Sequence, residues 1–371
     1  MLVQYYYHGL LLLVNLLLLG FLWRDTSTSL LRFCLIAEQG ILAAVLFGIA
    51  INGWIAEYID GNLIAHGLAW HGSLFLFASA LLMFRQRRKS GRPRRCTPTL
   101  LLVASCLYCG IAVDALLIEP TALVVRTTTI PTPKITQPVT IVFCSDLHIA
   151  QVGDYERRTL QEIKEQNADL IFFGGDYIGG RTEEDVRQLH QEWNQLFKEI
   201  DLQAPLGIYA IQGSAGHDWR SWRELFADTE VVPFTRTQTR QIGEIRVTFL
   251  AIKDSETNGS IPDQDREGQF RVMVGHSPRY AMAEQEAELL FAGHTHGGQV
   301  QIPFFGPPIA KSGDFPRKWA SGMTSLPNGA QLIVSHGIGH AQGSTPRIRF
   351  CSRPDFWVVH LVPGEKEVSS Q

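Results

Sequence analysis

The second part of the sequence contains five short apolar segments. Each is followed by a few residues that include a glycine or a serine, and then by an aspartate or a histidine. These segments cover 140–144, 169–173, 206–211, 269–274 and 288–291. Short continuous apolar runs of this kind predict strands that are buried on both faces of a sheet. One such strand tip is common by chance, but five of them predict a site built at the carboxyl edge of β-sheets.

The side chains at these tips are two aspartates and five histidines, namely Asp146, His148, Asp176, His217, His276, His294 and His296. Asp146 and His148 stand two positions apart, so in extended backbone they would point to the same side. Imidazoles and carboxylates without a thiolate favour Mn, Fe or Zn over calcium or copper(I). The tips therefore predict a site for divalent metal ions.

The segments between the strands predict helices. Asp154 is a candidate N-cap for a helix that runs to about Asn167. Residues 183–200 have apolar side chains at helical spacing and predict a second helix with one buried face. His190 falls off that face, so we expect it to be solvated.

Long apolar segments dominate the first 120 residues. The segments 9–23, 30–52, 63–84 and 98–118 each hold roughly 20 residues, which is enough to cross a bilayer as a helix. They predict four transmembrane helices. The whole chain carries 33 Lys and Arg against 36 Asp and Glu. Because no strongly basic face follows residue 120, a nucleic acid is not an expected partner.

A basic run from Arg85 to Arg95 lies between the third and fourth apolar segments. The positive-inside rule predicts that this run stays in the cytoplasm. Alternation then places everything after residue 120 on the outer or periplasmic side of the cell (inner) membrane. The Pro-containing stretch 121–138 is expected to be a partly extended linker, followed by a domain over 139–362 and a tail over 363–371.

The strand tips carry five motifs in this order: D-x-H, G-D, a G-x-H-D-like motif, G-H-x-P and G-H-T-H-G-G. Their order and spacing over about 140–360 resemble those of the calcineurin-like metallophosphoesterases, most closely the membrane-anchored bacterial branch. The resemblance implies an α/β four-layer sandwich of two mixed β-sheets flanked by helices. In this chain the sandwich would follow an α-helical transmembrane bundle of four spans.

The resemblance also implies two divalent ions, Mn, Fe or Zn, and assigns their ligands. The first ion would be held by Asp146, His148 and His296. The second would be held by His276 and His294, with Asp176 as the bridge between the two ions. A hydroxide that bridges the ions would attack phosphorus, as in other two-metal sites.

His217 would protonate the leaving group, a role that suits an imidazole near neutral pH. The chain departs from the family pattern beside it, because Gly216 stands where the family has an asparagine ligand. Ser214 is the nearest substitute and is predicted to be a weak ligand of the second ion. His336 stands where relatives often carry arginine. His336 and Arg349 are therefore candidate substrate contacts.

These features predict a membrane-anchored, metal-dependent phosphoester hydrolase that acts on a lipid-linked or envelope phosphodiester. Two alternatives remain open from the sequence. One is a pyrophosphatase of the UDP-diacylglucosamine type that faces the cytoplasm, which requires the opposite membrane orientation. The other is a non-catalytic membrane sensor that binds metal and phosphate. The oligomeric state does not follow from the residues.

Overall fold

The computed structural model describes residues 11–20, 23, 61–90, 96–179, 182–215, 221–261, 268–307, 315–340 and 347–364. The chain divides into two compact units. The first unit comprises Met1–Ile118 with Gln342–Ile348, and the second comprises Glu119–Ala341 with Arg349–Gln371.

The described part of the first unit is helical. It contains helix α1 (Leu11–Gly20), helix α2 (Gly61–Ser90) and helix α3 (Thr97–Val113). A small apolar cluster includes Leu18 of α1, Phe75 of α2 and Leu101 of α3. Polar contacts add to it, since Ser105 Oγ donates to the Ser73 carbonyl at 2.8 Å.

One helical segment among the described residues, Thr97–Thr121, is long and apolar enough to cross a membrane. It contains the span predicted for 98–118, and α2 contains the span predicted for 63–84. The span predicted for 9–23 corresponds in part to the shorter apolar helix α1. The span predicted for 30–52 lies outside the described residues. A four-span bundle thus remains a prediction.

The described residues of the second unit form two six-stranded sheets. The strands of the first sheet are β1 (Val124–Thr132), β2 (Val139–Cys144), β3 (Leu170–Phe173), β4 (Ile208–Ile211), β5 (Val231–Phe234) and β12 (Asp355–Pro363). The strands of the second sheet are β6 (Gln238–Ile242), β7 (Ile245–Phe249), β8 (Phe270–Val274), β9 (Leu289–Ala292), β10 (Gly322–Ser325) and β11 (Gln331–Val334).

Both sheets are mixed. The first has the order β1-β12-β2-β3-β4-β5, in which β2 to β5 are parallel and β12 runs antiparallel to β2. The second has the order β10-β11-β9-β8-β7-β6, with four parallel inner strands and antiparallel edges. Two mixed sheets flanked by helices confirm the predicted α/β architecture of this unit.

Alternate residues of the strands face opposite layers, as the two-residue period requires. In β2, Ile141 and Phe143 face the core between the sheets, where the Phe143 ring stacks on Phe291 at 4.9 Å between centroids. Val142 and Cys144 face the other way, into the core beneath the helices. A continuous apolar strand is therefore buried on both faces, as its sequence predicts.

The two predicted helices of the second unit are α4 (Asp154–Glu165) and α5 (Glu183–Ile200). Asp154 is the first helical residue rather than the N-cap, which is Gly153. The prediction that His190 is solvated is wrong, because its side chain is buried and Nδ1 lies 3.5 Å from Glu224 Oε2. The 3-10 segment Trp222–Phe226 packs on α5 and widens its buried face.

The stretch 121–138 is not the linker that its prolines suggested, since half of it forms strand β1. This strand pairs in parallel with β12, from Val124 opposite Asp355 to Thr132 opposite Pro363. β-Branched Val and Thr residues favour a strand. An edge strand also tolerates Pro131, because one of its sides needs no ladder hydrogen bonds. The folded domain thus begins before residue 139.

Candidate metal centre

The predicted ligands lie in the loops that follow four strands, at the carboxyl edges of the two sheets. Asp146 and His148 follow β2, Asp176 follows β3, His276 follows β8, and His294 and His296 follow β9. Parallel strands bring these loops to one place, as the strand-tip pattern predicts. The structure therefore brings together all six residues that the sequence assigned as ligands.

The backbone at these ligands is not extended. Positive φ angles occur at Asp146 (53°), His148 (39°), Asp176 (56°), His294 (67°) and His296 (51°). The expectation that Asp146 and His148 converge from an extended strand is therefore wrong. They converge because the left-handed backbone turns both side chains inward, and non-glycine residues adopt this conformation only when their surroundings enforce it.

Hydrogen bonds between loops enforce this backbone. The Asp146 amide donates to the Gly175 carbonyl at 2.9 Å, and the His148 amide donates to the Asp176 carbonyl at 2.9 Å. The Gly339 amide donates to the Asp146 carbonyl at 2.7 Å. The loops after β2, β3 and β11 thus hold one another, and these hydrogen bonds fix the backbone of Asp146 and His148.

Asp146, His148 and His296 form the first ligand group, in which all three residues are buried. Nε2 of His148 lies 3.1 Å from Nε2 of His296, and the latter lies 3.5 Å from Asp146 Oδ1. The His294 amide donates to Asp146 Oδ2 at 2.8 Å and so fixes the carboxylate. Two imidazole nitrogens and one carboxylate oxygen converge here on one point.

Asp176, His276 and His294 form the second group. Nε2 of His276 lies 3.1 Å from Nδ1 of His294 and 3.3 Å from Asp176 Oδ1. His276 Nδ1 lies 2.8 Å from the Gly174 carbonyl. Because a carbonyl only accepts, Nδ1 carries a proton there, and this directs Nε2 towards the ligand position.

His276 is basic in the metal-free protein. Burial disfavours its cation, but the Asp176 carboxylate beside it favours the cation, and the net effect raises the pKa of His276 to about 9. An ion that binds at this group must therefore displace a proton.

The Asp176 carboxylate lies between the two groups. Its Oδ2 is 3.5 Å from His148 Nε2 of the first group, and its Oδ1 is 3.3 Å from His276 Nε2 of the second. Each oxygen can serve a different ion, which is the geometry of a bridging carboxylate. The donor set of nitrogens and carboxylate oxygens, three atoms to a group, fits two divalent ions with borderline ligand preference.

Ser214 lies in the second group. Its Oγ is 3.2 Å from His276 Nε2, 3.2 Å from His294 Nδ1 and 3.5 Å from Asp176 Oδ2. The loop approaches closely because Gly213 has no side chain: a Cβ there would overlap the Asp176 backbone. Gly216 and His217 lie outside the described residues.

The structure does not support the predicted substrate contact of Arg349. Its side chain has 0% exposure. The guanidinium donates to the carbonyls of Ser352 at 2.8 Å, His336 at 3.0 Å and Gly337 at 3.1 Å, and also to that of Gly339. Arg349 therefore clamps the segment that packs on the first ligand group.

His336 is also buried, and its Nδ1 lies 2.9 Å from the Arg353 carbonyl. Burial lowers the pKa of its imidazole. Its ring packs against Gly297, where an added Cβ would come within 3.0 Å of Cδ2. The structure thus places His336 behind the loop of His296, which does not support the predicted substrate contact.

Asp355 is a supporting residue that the sequence did not reveal. It is fully buried, and it accepts from Ser335 Oγ and the His336 amide at 2.8 Å each. Arg126 Nε donates to its other oxygen at 2.5 Å. A lone aspartate at the start of a strand gives no signal of this role, because its partners are distant in sequence.

Residues 139–298 match the family model described as calcineurin-like phosphoesterase. The uncharacterized metallophosphoesterase YkuE of Bacillus subtilis is 28% identical over 235 residues, which cover 60% of this chain and 78% of that protein. The Escherichia coli phosphodiesterase YaeI is 28% identical over 94 residues, covering 25% of this chain and 32% of that protein.

Among solved structures, a dimetal phosphatase from Danio rerio is similar with a TM-score of 0.33 and 11% identity, covering 56% of this chain and 89% of that one. All six residues of the two Asp/His groups lie within the range that matches the family model. Residues 139–298 thus match the calcineurin-like phosphoesterase family in sequence, and the chain is a hydrolase of phosphoesters whose two Asp/His groups fit a dinuclear centre of divalent metal ions.

Proposed function

We propose that the chain hydrolyses a phosphodiester at this centre, with His217 as the acid that protonates the leaving oxygen. The position of Asp176 carries the proposal, because this one carboxylate lies within reach of both groups and would hold both ions. When bound, such ions polarise the phosphate and lower the pKa of water. The relative YaeI is named a phosphodiesterase.

The side chains divide the remaining work. Asp146, fixed by the His294 amide, would hold the first ion with two imidazoles. His276, directed by the Gly174 carbonyl, would hold the second ion. His217 supplies a proton to the departing oxygen. Without that proton the oxygen would leave as a strongly basic anion, which is a poor leaving group.

Ser214 completes the second group in this proposal. The family motif has an asparagine ligand, but residue 216 is a glycine, which has no ligand atom. The Ser214 hydroxyl is the group that stands within 3.2 Å of both second-group imidazoles. Because a neutral hydroxyl is a poorer ligand than an amide carbonyl, the second ion binds more weakly than the first.

The membrane part of the proposal rests on the Thr97–Thr121 helix and on the basic run 85–95. We place the catalytic unit on the outer or periplasmic side of the inner membrane, behind four spans, with a lipid-linked or envelope phosphodiester as substrate. Phosphatase and β-galactosidase fusions after residue 122 test this. Galactosidase activity there would contradict it and favour the cytoplasmic pyrophosphatase alternative.

The catalytic proposal is tested with the full chain in detergent. After removal of metal and reloading with Mn, we expect release of p-nitrophenol from bis-p-nitrophenyl phosphate. His217→Ala should lower turnover strongly and leave the metal content nearly unchanged, because its work is proton transfer. Loss of metal would make His217 a ligand. Binding of metal and phosphate without hydrolysis would support the sensor alternative instead.

A further inference from the structure

A tight turn, Ile302 to Gly306, carries three exposed apolar side chains on the surface of the second unit. Phe304 is fully exposed, Phe305 is 60% exposed and Ile302 is 45% exposed. We call this turn the apolar tip. Contiguous exposed apolar groups on a folded domain mark a surface that contacts a partner or a membrane.

The backbone of the apolar tip holds these side chains outward. The Ile302 amide donates to the Gly306 carbonyl at 3.0 Å, and the Gly306 amide donates back at 2.8 Å. The Phe305 amide donates to the Ile302 carbonyl at 2.9 Å. Phe304, at the centre, has a φ of 67°. The exposure of Phe304 is thus a property of a closed turn and not of one free side chain.

Cations adjoin the apolar tip. The Arg317 guanidinium lies 4.3 Å from the centroid of the Phe305 ring, and it donates to the carbonyls of Phe305 at 3.1 Å and Pro307 at 2.5 Å. Lys318 is exposed beside it. The described stretches 297–307 and 315–325 contain no Asp or Glu. Apolar groups flanked by cations complement the acyl and headgroup layers of an anionic bilayer.

The apolar tip is braced to the loop that carries two ligands. It begins six residues after His296. Gln301 Nε2 donates to the Gly297 carbonyl at 3.2 Å and to Ser321 Oγ at 3.0 Å. Thr295 Oγ1 donates to the Ala320 carbonyl at 2.7 Å. A surface that holds the tip therefore also holds the loop between the ligands His294 and His296.

We propose that the apolar tip inserts into an anionic phospholipid surface, with Arg317 and Lys318 at the level of the headgroups. Phe304 and Phe305 enter the boundary between headgroups and acyl chains, where aromatic side chains are stable. The metal centre is thereby held near the same leaflet, where it can act on a phosphoester of the membrane. This last step rests on the proposed function, whereas the insertion of the tip does not.

The test must separate the tip from the membrane-crossing helix, so it uses the full chain reconstituted in vesicles. A photo-reactive p-benzoylphenylalanine replaces Phe304 in one variant and Val232 in a control. Val232 is 44% exposed on the edge strand β5, far along the chain from the tip. In mixed phosphatidylcholine and phosphatidylglycerol vesicles, we expect a lipid adduct at position 304 and none at 232, as resolved by mass spectrometry.

Three outcomes would overturn the proposal: equal lipid adducts at both positions, no lipid adduct at 304, or an adduct at 304 only with a second copy of the chain. The anionic requirement is tested with phosphatidylcholine vesicles alone, where the adduct at 304 should fall. Lys318→Gln should lower it in mixed vesicles. Because cross-linking needs no turnover, it can succeed even if the proposed hydrolysis fails.

A second measurement links the tip to activity. Phe304→Ser should lower hydrolysis of a phosphodiester embedded in mixed vesicles by about tenfold, because the apolar anchor is lost. The same variant should hydrolyse soluble bis-p-nitrophenyl phosphate at the rate of the unmodified chain. An equal loss on both substrates would show that Phe304 supports the fold of the centre rather than membrane contact.

Discussion

The hydroxyl oxygen of Ser214 lies 3.2 Å from Nε2 of His276, within the second ligand group. A hydroxyl so placed can supply the ligand that Gly216 cannot. Ser214→Ala should weaken the second ion by about tenfold and leave the first nearly unchanged. Calorimetric titration of the metal-free chain with Mn measures both sites. Ser325→Ala, which removes an exposed hydroxyl on β10, is the control.

Ser214→Asn gives the complementary result. An amide carbonyl is a better ligand than a hydroxyl, so this variant should tighten the second site and raise activity at limiting Mn. Two equally tight sites in the unmodified chain, neither of them changed by Ser214→Ala, would refute a ligand role for Ser214.

Asp176→Asn should remove metal from both groups. The substitution takes away the charge that lies within 3.5 Å of imidazoles in both groups, and asparagine tolerates the left-handed backbone at this position. Elemental analysis after dialysis should show far fewer than two ions per chain. Asp201→Asn is a matched control, because Asp201 also has a positive φ (53°) but caps α5. Retention of two ions by Asp176→Asn would refute the bridge.

Binding of the second ion should depend on pH. The pKa of His276 is raised to about 9 in the metal-free protein, from an ordinary value of 6.5. Protonation of His276 therefore stabilises the metal-free fold below pH 6.5, and this contribution is lost as the pH rises through about 9.

Because the ion needs the lone pair on Nε2, apparent affinity at the second group should rise about tenfold per pH unit over this interval. Titrations in buffers of different ionisation enthalpy measure the proton that is released. A second-site affinity that does not change between pH 6.5 and about 9 would contradict the raised pKa.

Arg349→Met should destabilise the second unit by about 2–4 kcal/mol, because several buried carbonyls lose a charged donor. Thermal unfolding of the metal-free chain measures this loss. The variant should also weaken the first ion, since the clamped segment packs on Asp146: a Cβ at Gly337 would come within 2.6 Å of Asp146 Cβ.

Arg353→Met is the control for that variant, because Arg353 has an exposed side chain and its contact with His336 is made by the backbone carbonyl. Arg349→Lys should restore part of the stability, since an ammonium supplies up to three donors but not the planar geometry of guanidinium. Normal stability of Arg349→Met would show that the four carbonyls find other partners.

Local pattern and chemistry carried the prediction of the strands and of a metal site at their tips, and the family resemblance divided the ligands between two ions. Strands that are buried on both faces of a sheet have continuous apolar sequences, which are easy to find. Imidazole and carboxylate side chains favour particular divalent metals, so the residue types indicate the kind of site. The left-handed backbone at Asp146 and His148 was not predictable, because it is imposed by hydrogen bonds from loops far along the chain. Charge patterns likewise gave no sign that Arg349 is buried, since arginine is normally exposed.

At strand β1 and at His190 the local sequence pattern predicted the wrong structure. Pro131 argued for a linker, yet its neighbour β12 comes from more than 200 residues later and supplies the ladder that makes this stretch a strand. The helical pattern of α5 described one apolar face, but the 3-10 segment Trp222–Phe226 covers His190 as well. In both cases the structure is determined by contacts with segments that are distant in the sequence.

The position of β12 between β1 and β2 determines when the first sheet can be completed during synthesis of the chain. These two strands are neighbours in sequence but do not pair, because Asp355–Pro363 lies between them. During synthesis the first sheet stays open on that side until Pro363 has emerged. The sheet whose strands lead to Asp146 and Asp176 is therefore complete only after His296, the last of the six predicted ligands in the sequence, has been made.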